Sequence, residues 1–355
     1  MKVKLPLRRT ILLRRTFEPP SEGREKKLRL DFNENTAGCS PAVRRAIARI
    51  TAKQLAMYPD YRPAERRLAR YFGVRPEELL LANGADDALR AFFDTFVEEG
   101  SSILICEPTF PMYRYFAEIF GARLRVLRYT SDMSFPLREA VSALRKKPRV
   151  LFIANPNNPT GTLLPRESIR QILKAATHTA VVIDEAYAEF SRVTQVPWIR
   201  RYPQLFVVRT FSKVAGLAGL RLGAVLARAD SLDFLRRAMP PFPINVAALV
   251  AAEAAVRDPK SMRRYVNEIN RLREWFAAAL RRLGVKTYPS AGNFLLADFG
   301  PKGPALFRRA EKQGILLRER SKEVAPGFVR ITIGTEPEMR KLMRFIHKEY
   351  KFIAA

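Results

Sequence analysis

The stretch Val150-Leu151-Phe152-Ile153-Ala154-Asn155-Pro156-Asn157-Asn158-Pro159-Thr160-Gly161 decides how the chain is read. Its first five residues are apolar without a break, which suits a strand buried on both faces. The next seven are Asn, Pro, Thr and Gly, residues that end regular structure and form turns. A buried strand running into a polar turn is the unit of an open α/β sheet. In such sheets ligands lie beyond the carboxyl ends of the strands.

Six further apolar runs surround this one, at 79–82, 103–106, 124–127, 181–184, 206–208 and 222–226. Amphipathic, helix-like segments separate them. The alternation predicts an α/β large domain with a mostly parallel seven-stranded sheet between helices. Polar residues gather after the runs: Asn83-Gly84-Ala85-Asp86, Glu107-Pro108-Thr109-Phe110, Asp184-Glu185-Ala186-Tyr187 and Arg209-Thr210-Phe211-Ser212-Lys213. Residues 245–283 read as helix, with little Gly or Pro to interrupt them. The last part mixes strands (293–298 and 328–333) with helices (304–313 and 336–350), a smaller α+β domain. The expected division is an N-terminal arm and part of the small domain over 1–60, the large domain over 61–245, and a connecting helix with the C-terminal small domain over 246–355.

Composition narrows the function classes. The 355 residues are 47% hydrophobic and 28% charged, so a packed core is expected. No apolar run approaches the roughly 20 residues of a membrane helix. Cys39 and Cys106 cannot build a disulfide scaffold, and a reducing, cytoplasmic setting is expected. His178 and His347 are the only histidines, so no metal site is expected. Lys and Arg number 63 against 35 Asp and Glu, a net charge of +28. The cations are scattered through amphipathic segments such as 41–50 and 64–72, where they read as solvated helix faces. Zinc-finger spacing and an RNP-type aromatic block are both missing, so nucleic-acid binding is not expected. Residues 1–29 hold ten Lys or Arg and three Glu without a secretory apolar core, and read as a basic arm. Pro19-Pro20-Ser21 marks a turn within it.

Four features after the strands could share one chemistry. A lysine with a lowered pKa, such as Lys213 after its strand, forms Schiff bases with aldehydes. Asp184 ends an apolar strand, and a buried carboxylate needs a cationic partner such as a pyridinium nitrogen. Arg221 can grip a phosphate in two places. Gly84-Ala85-Asp86 opens a helix, where backbone N–H groups cradle anions. A lysine, an acid for a ring nitrogen and a phosphate cup are the parts of a pyridoxal 5′-phosphate site.

Set in order along the chain, these motifs resemble fold-type I, pyridoxal phosphate-dependent aminotransferases of classes I and II. The chain is most similar to the histidinol-phosphate aminotransferases. The motifs that carry the resemblance are Asn33-Glu34-Asn35, Tyr58-Pro59-Asp60, Asn83-Gly84-Ala85-Asp86, Pro108-Thr109-Phe110-Pro111-Met112-Tyr113, the Asn155–Gly161 turn, Asp184-Glu185-Ala186-Tyr187, Arg209 to Lys213 with Arg221, and Arg330-Ile331-Thr332-Ile333-Gly334.

The resemblance implies roles. Lys213 would hold the cofactor and later shuttle a proton, and Asp184 would keep the ring nitrogen protonated. Asn158 and Tyr187 would bond the ring oxygen, and Tyr113 would stack on the ring. Gly84, Ala85, Asp86, Thr210, Ser212 and Arg221 would hold the phosphate. Tyr58 would reach the phosphate of the other subunit, which implies a homodimer. Arg330 and Arg318 would meet the anionic end of the substrate, and Asn33 would shape its entrance. The implied reaction takes histidinol phosphate and 2-oxoglutarate to imidazole-acetol phosphate and glutamate, in histidine biosynthesis. Many relatives read Asn-Glu-Asn-Pro-Tyr-Gly where this chain reads Asn33-Glu34-Asn35-Thr36-Ala37-Gly38, so a tyrosine that can touch substrate phosphate is missing. Three alternatives stand beside this reading. They are an aromatic amino acid aminotransferase, a phosphothreonine decarboxylase-like enzyme, and a non-enzymatic basic protein that binds nucleic acid.

Overall fold

The computed structural model describes residues 8–12 and 22–352. The turn expected at Pro19-Pro20-Ser21 lies outside the described residues. A short strand β1 (Leu28–Arg29) precedes the large sheet, whose seven strands are β2 (Leu79–Ala82), β3 (Ser102–Glu107), β4 (Arg123–Arg128), β5 (Val150–Ala154), β6 (Ala180–Asp184), β7 (Leu205–Thr210) and β8 (Gly223–Leu226). Their order is β2-β8-β7-β6-β5-β3-β4. The run from β7 to β4 is parallel, while β8 is antiparallel to both β7 and β2.

The apolar runs follow from the layering. Along β5 alternate residues face opposite ways: Leu151 and Ile153 join one core cluster, and Phe152 and Ala154 join the other. Helices cover both faces, so no position on β5 is free to be polar. Edge strand β4 is the exception. Its Arg123, Arg125 and Arg128 are exposed, charges that block pairing with a further strand.

The segment 245–283 is two helices, not one: Val246–Arg257 and Pro259–Arg282. The break falls at Pro259, which has no N–H to continue the first helix. Asp258 instead caps the second, its side chain accepting from the Ser261 amide at 3.2 Å.

The smaller sheet has β9 (Lys286–Thr287), β10 (Phe294–Asp298), β12 (Arg318–Glu319) and β13 (Phe328–Thr332) in the antiparallel order β12-β13-β10-β9. Between them in sequence, β11 (Ile315–Leu316) pairs in parallel with β1. The N-terminal segment then continues across the small domain, where the Thr332 amide donates to the Leu30 carbonyl at 2.9 Å. Residues 31–35 are thereby laid over the carboxyl ends of β6 and β7. Among the described residues, no helix is long and apolar enough to cross a membrane. Nor do three or more His, Cys, Asp or Glu side chains among them form a group able to hold a metal ion.

Candidate active site

The loops after β2, β6, β7 and the entry to β8 converge. Gly84 has φ 82°, a conformation open to glycine at little cost. A Cβ there would lie 2.6 Å from Nη2 of Arg221, and one on Gly223 would lie 2.6 Å from the backbone of Gly84. Both glycines are therefore required by close approach. Arg221 donates to Asp86 Oδ2 at 3.1 Å and to the Ala218 carbonyl at 3.3 Å. Thr210 lies opposite Gly223 in the sheet. Its hydroxyl donates to Ser212 Oγ at 3.0 Å and accepts from the Ser212 amide at 3.1 Å. The structure thus brings Gly84, Ala85, Asp86, Thr210, Ser212 and Arg221 into one cradle at a helix N-terminus, a geometry suited to a phosphate.

Asp184 ends β6 and is buried. Oδ2 accepts from the Tyr113 hydroxyl at 2.9 Å, and Oδ1 accepts from the Ala186 amide at 3.1 Å. Burial raises its pKa to about 6 against the lowering effect of these two bonds. Among the described residues no Lys or Arg is hydrogen-bonded to it, and a protonated ring nitrogen would be a fitting partner for this carboxylate. The amine of Lys213 donates to the carbonyl of Phe32 at 3.0 Å. Burial first, then the charge of Arg330, lower its pKa to about 8, which places an appreciable fraction in the nucleophilic neutral form. The cradle, the buried acid and the depressed lysine together fit pyridoxal phosphate.

Asn158 and Tyr187 stand between this cluster and the small domain. Asn158 Oδ1 accepts from Arg330 Nη1 at 2.6 Å, and the Tyr187 hydroxyl accepts from Asn33 Nδ2 at 2.9 Å. The turn containing Asn158 is held by Asn157, whose amide donates to the Pro108 carbonyl and to Thr160. Gly161 meets Ser290 so closely that a Cβ would lie 2.7 Å from its Cα. Arg330 Nη2 donates to the carbonyl of Asp31. Arg318 is paired with Arg330 across β12 and β13, and its guanidinium lies 5.8 Å from the Phe32 ring centroid.

Two expectations are corrected. Tyr113 cannot stack on a cofactor, because its ring is fully buried and stacks on Phe152 at 5.2 Å. It is instead a hydrogen-bond donor to Asp184. Asn33 does not face a substrate: it is 1% exposed. Its amide donates to Thr332 Oγ1, its side-chain oxygen accepts from the same hydroxyl, and its carbonyl accepts from Asn293. Asn33 is a strut that aims Tyr187. Tyr58 has a different setting from the cradle residues. It is 78% exposed and stacks on Phe242 at 4.5 Å.

Several participants were not foreseen. Residues Asp31 and Phe32 contribute main-chain carbonyls, which no side-chain motif can reveal. Arg209 donates to Glu185 at 3.1 Å and also to Glu189, tying β7 to the segment that follows β6. Burial pushes the Glu185 pKa up to about 7, so this brace depends on the Arg209 charge. Arg320 is buried beside Arg318; alternation along β12 was the signal that could have found it.

The chain matches the model of the family "Aminotransferase class I and II" over residues 25–346. It is 37% identical over 304 residues to histidinol-phosphate aminotransferase of Pectobacterium carotovorum, covering 83% of this chain and 85% of that protein. It is 33% identical over 331 residues to the enzyme of the same name from a Geobacillus strain, covering 91% and 90%. Among solved structures it is similar to histidinol-phosphate aminotransferase from Sinorhizobium meliloti in complex with pyridoxal-5′-phosphate, with TM-score 0.90, 26% identity and 99% of each chain covered. The seven-stranded sheet is the fold type I arrangement of these enzymes. The chain therefore belongs to the class I and II aminotransferases and is a pyridoxal phosphate-dependent enzyme.

Proposed function

We propose that this enzyme transfers the amino group of histidinol phosphate to 2-oxoglutarate, yielding imidazole-acetol phosphate and glutamate in histidine biosynthesis. The observation that carries this reading is the direct pairing of Arg318 with Arg330. Directly opposed residues project from the same sheet face. Two guanidinium groups on one face suit the phosphate of the donor in one half-reaction and the carboxylate of the oxo acid in the other. The names of the relatives support the same substrate.

Pyridoxal phosphate, when bound, supplies an aldehyde that takes up the amino group and a ring that stores an electron pair. The chain's own residues do the rest. Lys213 would hold the cofactor through its amine and, when freed, would take up and return the proton of the donor's α-carbon. Asp184 would supply the negative charge for the ring nitrogen, and Tyr113 keeps the carboxylate oriented. Asn158 has its oxygen on Arg330 and its amide left to donate to the ring oxygen, and Tyr187 keeps its own proton to donate to that oxygen. Phe110 is only partly buried and lies edge-on to Tyr113 at 5.8 Å; it takes the ring-stacking part. The molecule works as a homodimer. Exposed Leu55, Met57, Tyr58 and Phe242 form an apolar surface that a second copy would cover, with Tyr58 reaching the partner's cradle. The chain divides into an arm and part of the small domain over 1–60, the large domain over 61–245 and the remainder over 246–355.

The test is to titrate the visible absorption of the purified holoenzyme with histidinol phosphate, then with phenylalanine and with glutamate. Loss of the band at the lowest concentration of histidinol phosphate is expected. A response to phenylalanine and glutamate alone would move the donor to the aromatic class. Release of carbon dioxide from phosphothreonine would replace transamination with decarboxylation.

A further inference from the structure

Arg318 and Arg330 share a sheet face because they are directly paired. Arg320 lies two residues beyond Arg318. Its amide donates to the Phe328 carbonyl at 2.8 Å, continuing the β12–β13 ladder by a step. With a strand period of two, its side chain leaves the same face as Arg318 and Arg330.

Arg320 is 4% exposed. A guanidinium taken out of water ordinarily satisfies its donors. Arg320 does not: Nη1 donates to Glu323 at 3.0 Å, while its buried Nε has no partner among the described residues. Arg330, also 4% exposed, is in the same condition at Nε. Two buried donors left open on one face call for an acceptor from outside the chain. Of the nearby carboxylates, Glu323 is engaged with Arg320 and Asp31 bonds Arg24 through Oδ2; the buried Oδ1 of Asp31 makes no hydrogen bond to either Nε among the described residues. The three cations sense one another. Burial first, and then Arg320 ahead of Arg318, push the pKa of Arg330 down. An anion of charge −2 would relieve that repulsion better than one of charge −1.

We propose that Arg320 is a third anion-binding residue and sets specificity, selecting doubly charged phosphate monoesters over donors whose far end is a carboxylate or an uncharged ring. The proposal rests on the reading that the far end of the donor lies against Arg318 and Arg330. A phosphate has three acceptor oxygens, one for each guanidinium, where a carboxylate has two.

The experiment compares wild type, Arg320→Gln, Arg320→Lys and Glu323→Gln as holoenzymes. It measures kcat and KM for histidinol phosphate and for phenylalanine, and competitive inhibition by inorganic phosphate. Arg320→Gln is expected to lower kcat/KM for histidinol phosphate by about tenfold or more, chiefly through KM, with a change of about threefold or less for phenylalanine. Phosphate inhibition should weaken in parallel, and Arg320→Lys should restore part of both. Glu323→Gln removes the ion pair but keeps the cation, so the preference for phosphate should persist or grow. If Arg320→Gln lowers both donors equally, or Glu323→Gln reproduces its effect, Arg320 merely braces the 320–328 loop and the proposal falls. Should wild type ignore histidinol phosphate while phosphate inhibition still depends on Arg320, the substrate reading fails and the anion site stands. If wild type uses histidinol phosphate and neither its KM nor phosphate inhibition moves in Arg320→Gln, the reverse holds.

Discussion

The hydroxyl of Tyr113 donates to Oδ2 of Asp184 at 2.9 Å, with both side chains buried. The bond favours the charged carboxylate against the burial that raises its pKa to about 6. Tyr113→Phe removes the donor and keeps the ring stacked on Phe152. The carboxyl pKa should then rise further, and the acid limb of the kcat/KM profile should move to higher pH. A rise of about one unit, the equivalent of roughly 1.4 kcal/mol, should cost about twofold at pH 7 and approach tenfold on the acid limb. An unmoved pH profile would reduce Tyr113 to a packing residue.

Lys213 has its pKa lowered to about 8 by burial and by Arg330. The protonated amine is not a nucleophile. The rate at which cofactor-free protein takes up pyridoxal phosphate should rise with pH below about 8 and level off above it. Stopped-flow absorption across pH 6 to about 9.5 would follow this. Lys213→Ala should abolish transamination at every pH.

Asn33 joins Thr332 of the small domain to Tyr187 of the large one, and its φ of 54° lies in the left-handed region. Asn33→Ala loses the amide and adds backbone strain of about 1 kcal/mol. Asn33→Gly loses the amide alone. Both variants should lose about tenfold in kcat/KM, and only Asn33→Ala should also melt earlier. Full activity in Asn33→Gly would show that Tyr187 needs no strut.

Glu78, buried at the entry to β2, accepts from Arg200 Nε at 2.7 Å and Nη2 at 2.8 Å, and from the Arg75 amide at 2.9 Å. These bonds, Arg200 first, hold its pKa at about 2. A depressed carboxyl pKa adds stability above the unfolded value, and that stability is lost as pH falls toward the folded value. Glu78→Gln should therefore cost about 1–2 kcal/mol at pH 7, discounted because Arg200 is open to solvent. The difference in apparent melting temperature between variant and wild type should shrink below pH ~4.5 and vanish near pH 2.

Tyr58 and Leu55 are 78% and 67% exposed. A charge at Leu55 on a surface covered by a second copy would be desolvated. Leu55→Asp should shift the protein from dimer to monomer in analytical ultracentrifugation and cut activity. A wild-type protein that sediments as a monomer would remove Tyr58 from its part in the partner's cradle.

All seven strands of the large sheet were legible: six because a strand between two helix layers must be apolar on both faces, and edge strand β4 because Leu124, Val126 and Leu127 still mark it among its exposed arginines. The polar turns behind them were legible for the complementary reason: backbone that leaves a sheet needs Gly, Pro and Asn. Harder to read were positions whose meaning depends on a distant partner. Tyr113 sits in an aromatic-rich turn, and only the packing of Phe152 shows that its ring is covered. Asn33 reads as an entrance residue until Thr332, almost 300 positions away, is placed against it. The break at Pro259 was legible in principle, since a proline after an aspartate is a helix start.

By itself the sequence determined the layered α/β fold, the order of its strands along the chain and the chemistry available at their carboxyl ends. Periodicity and turn composition are local properties, and the amine of Lys213 and the carboxylate of Asp184 are what they are in any fold. Tertiary structure decided which groups are charged, which are engaged and which remain open. Burial lowers Lys213 and raises Asp184, the arm presents the carbonyls of Asp31 and Phe32 to Arg330 and Lys213, and the β12–β13 register sets Arg318, Arg320 and Arg330 on one face. Desolvation and register both depend on residues far apart in the chain, and they exist only once the chain has closed on itself.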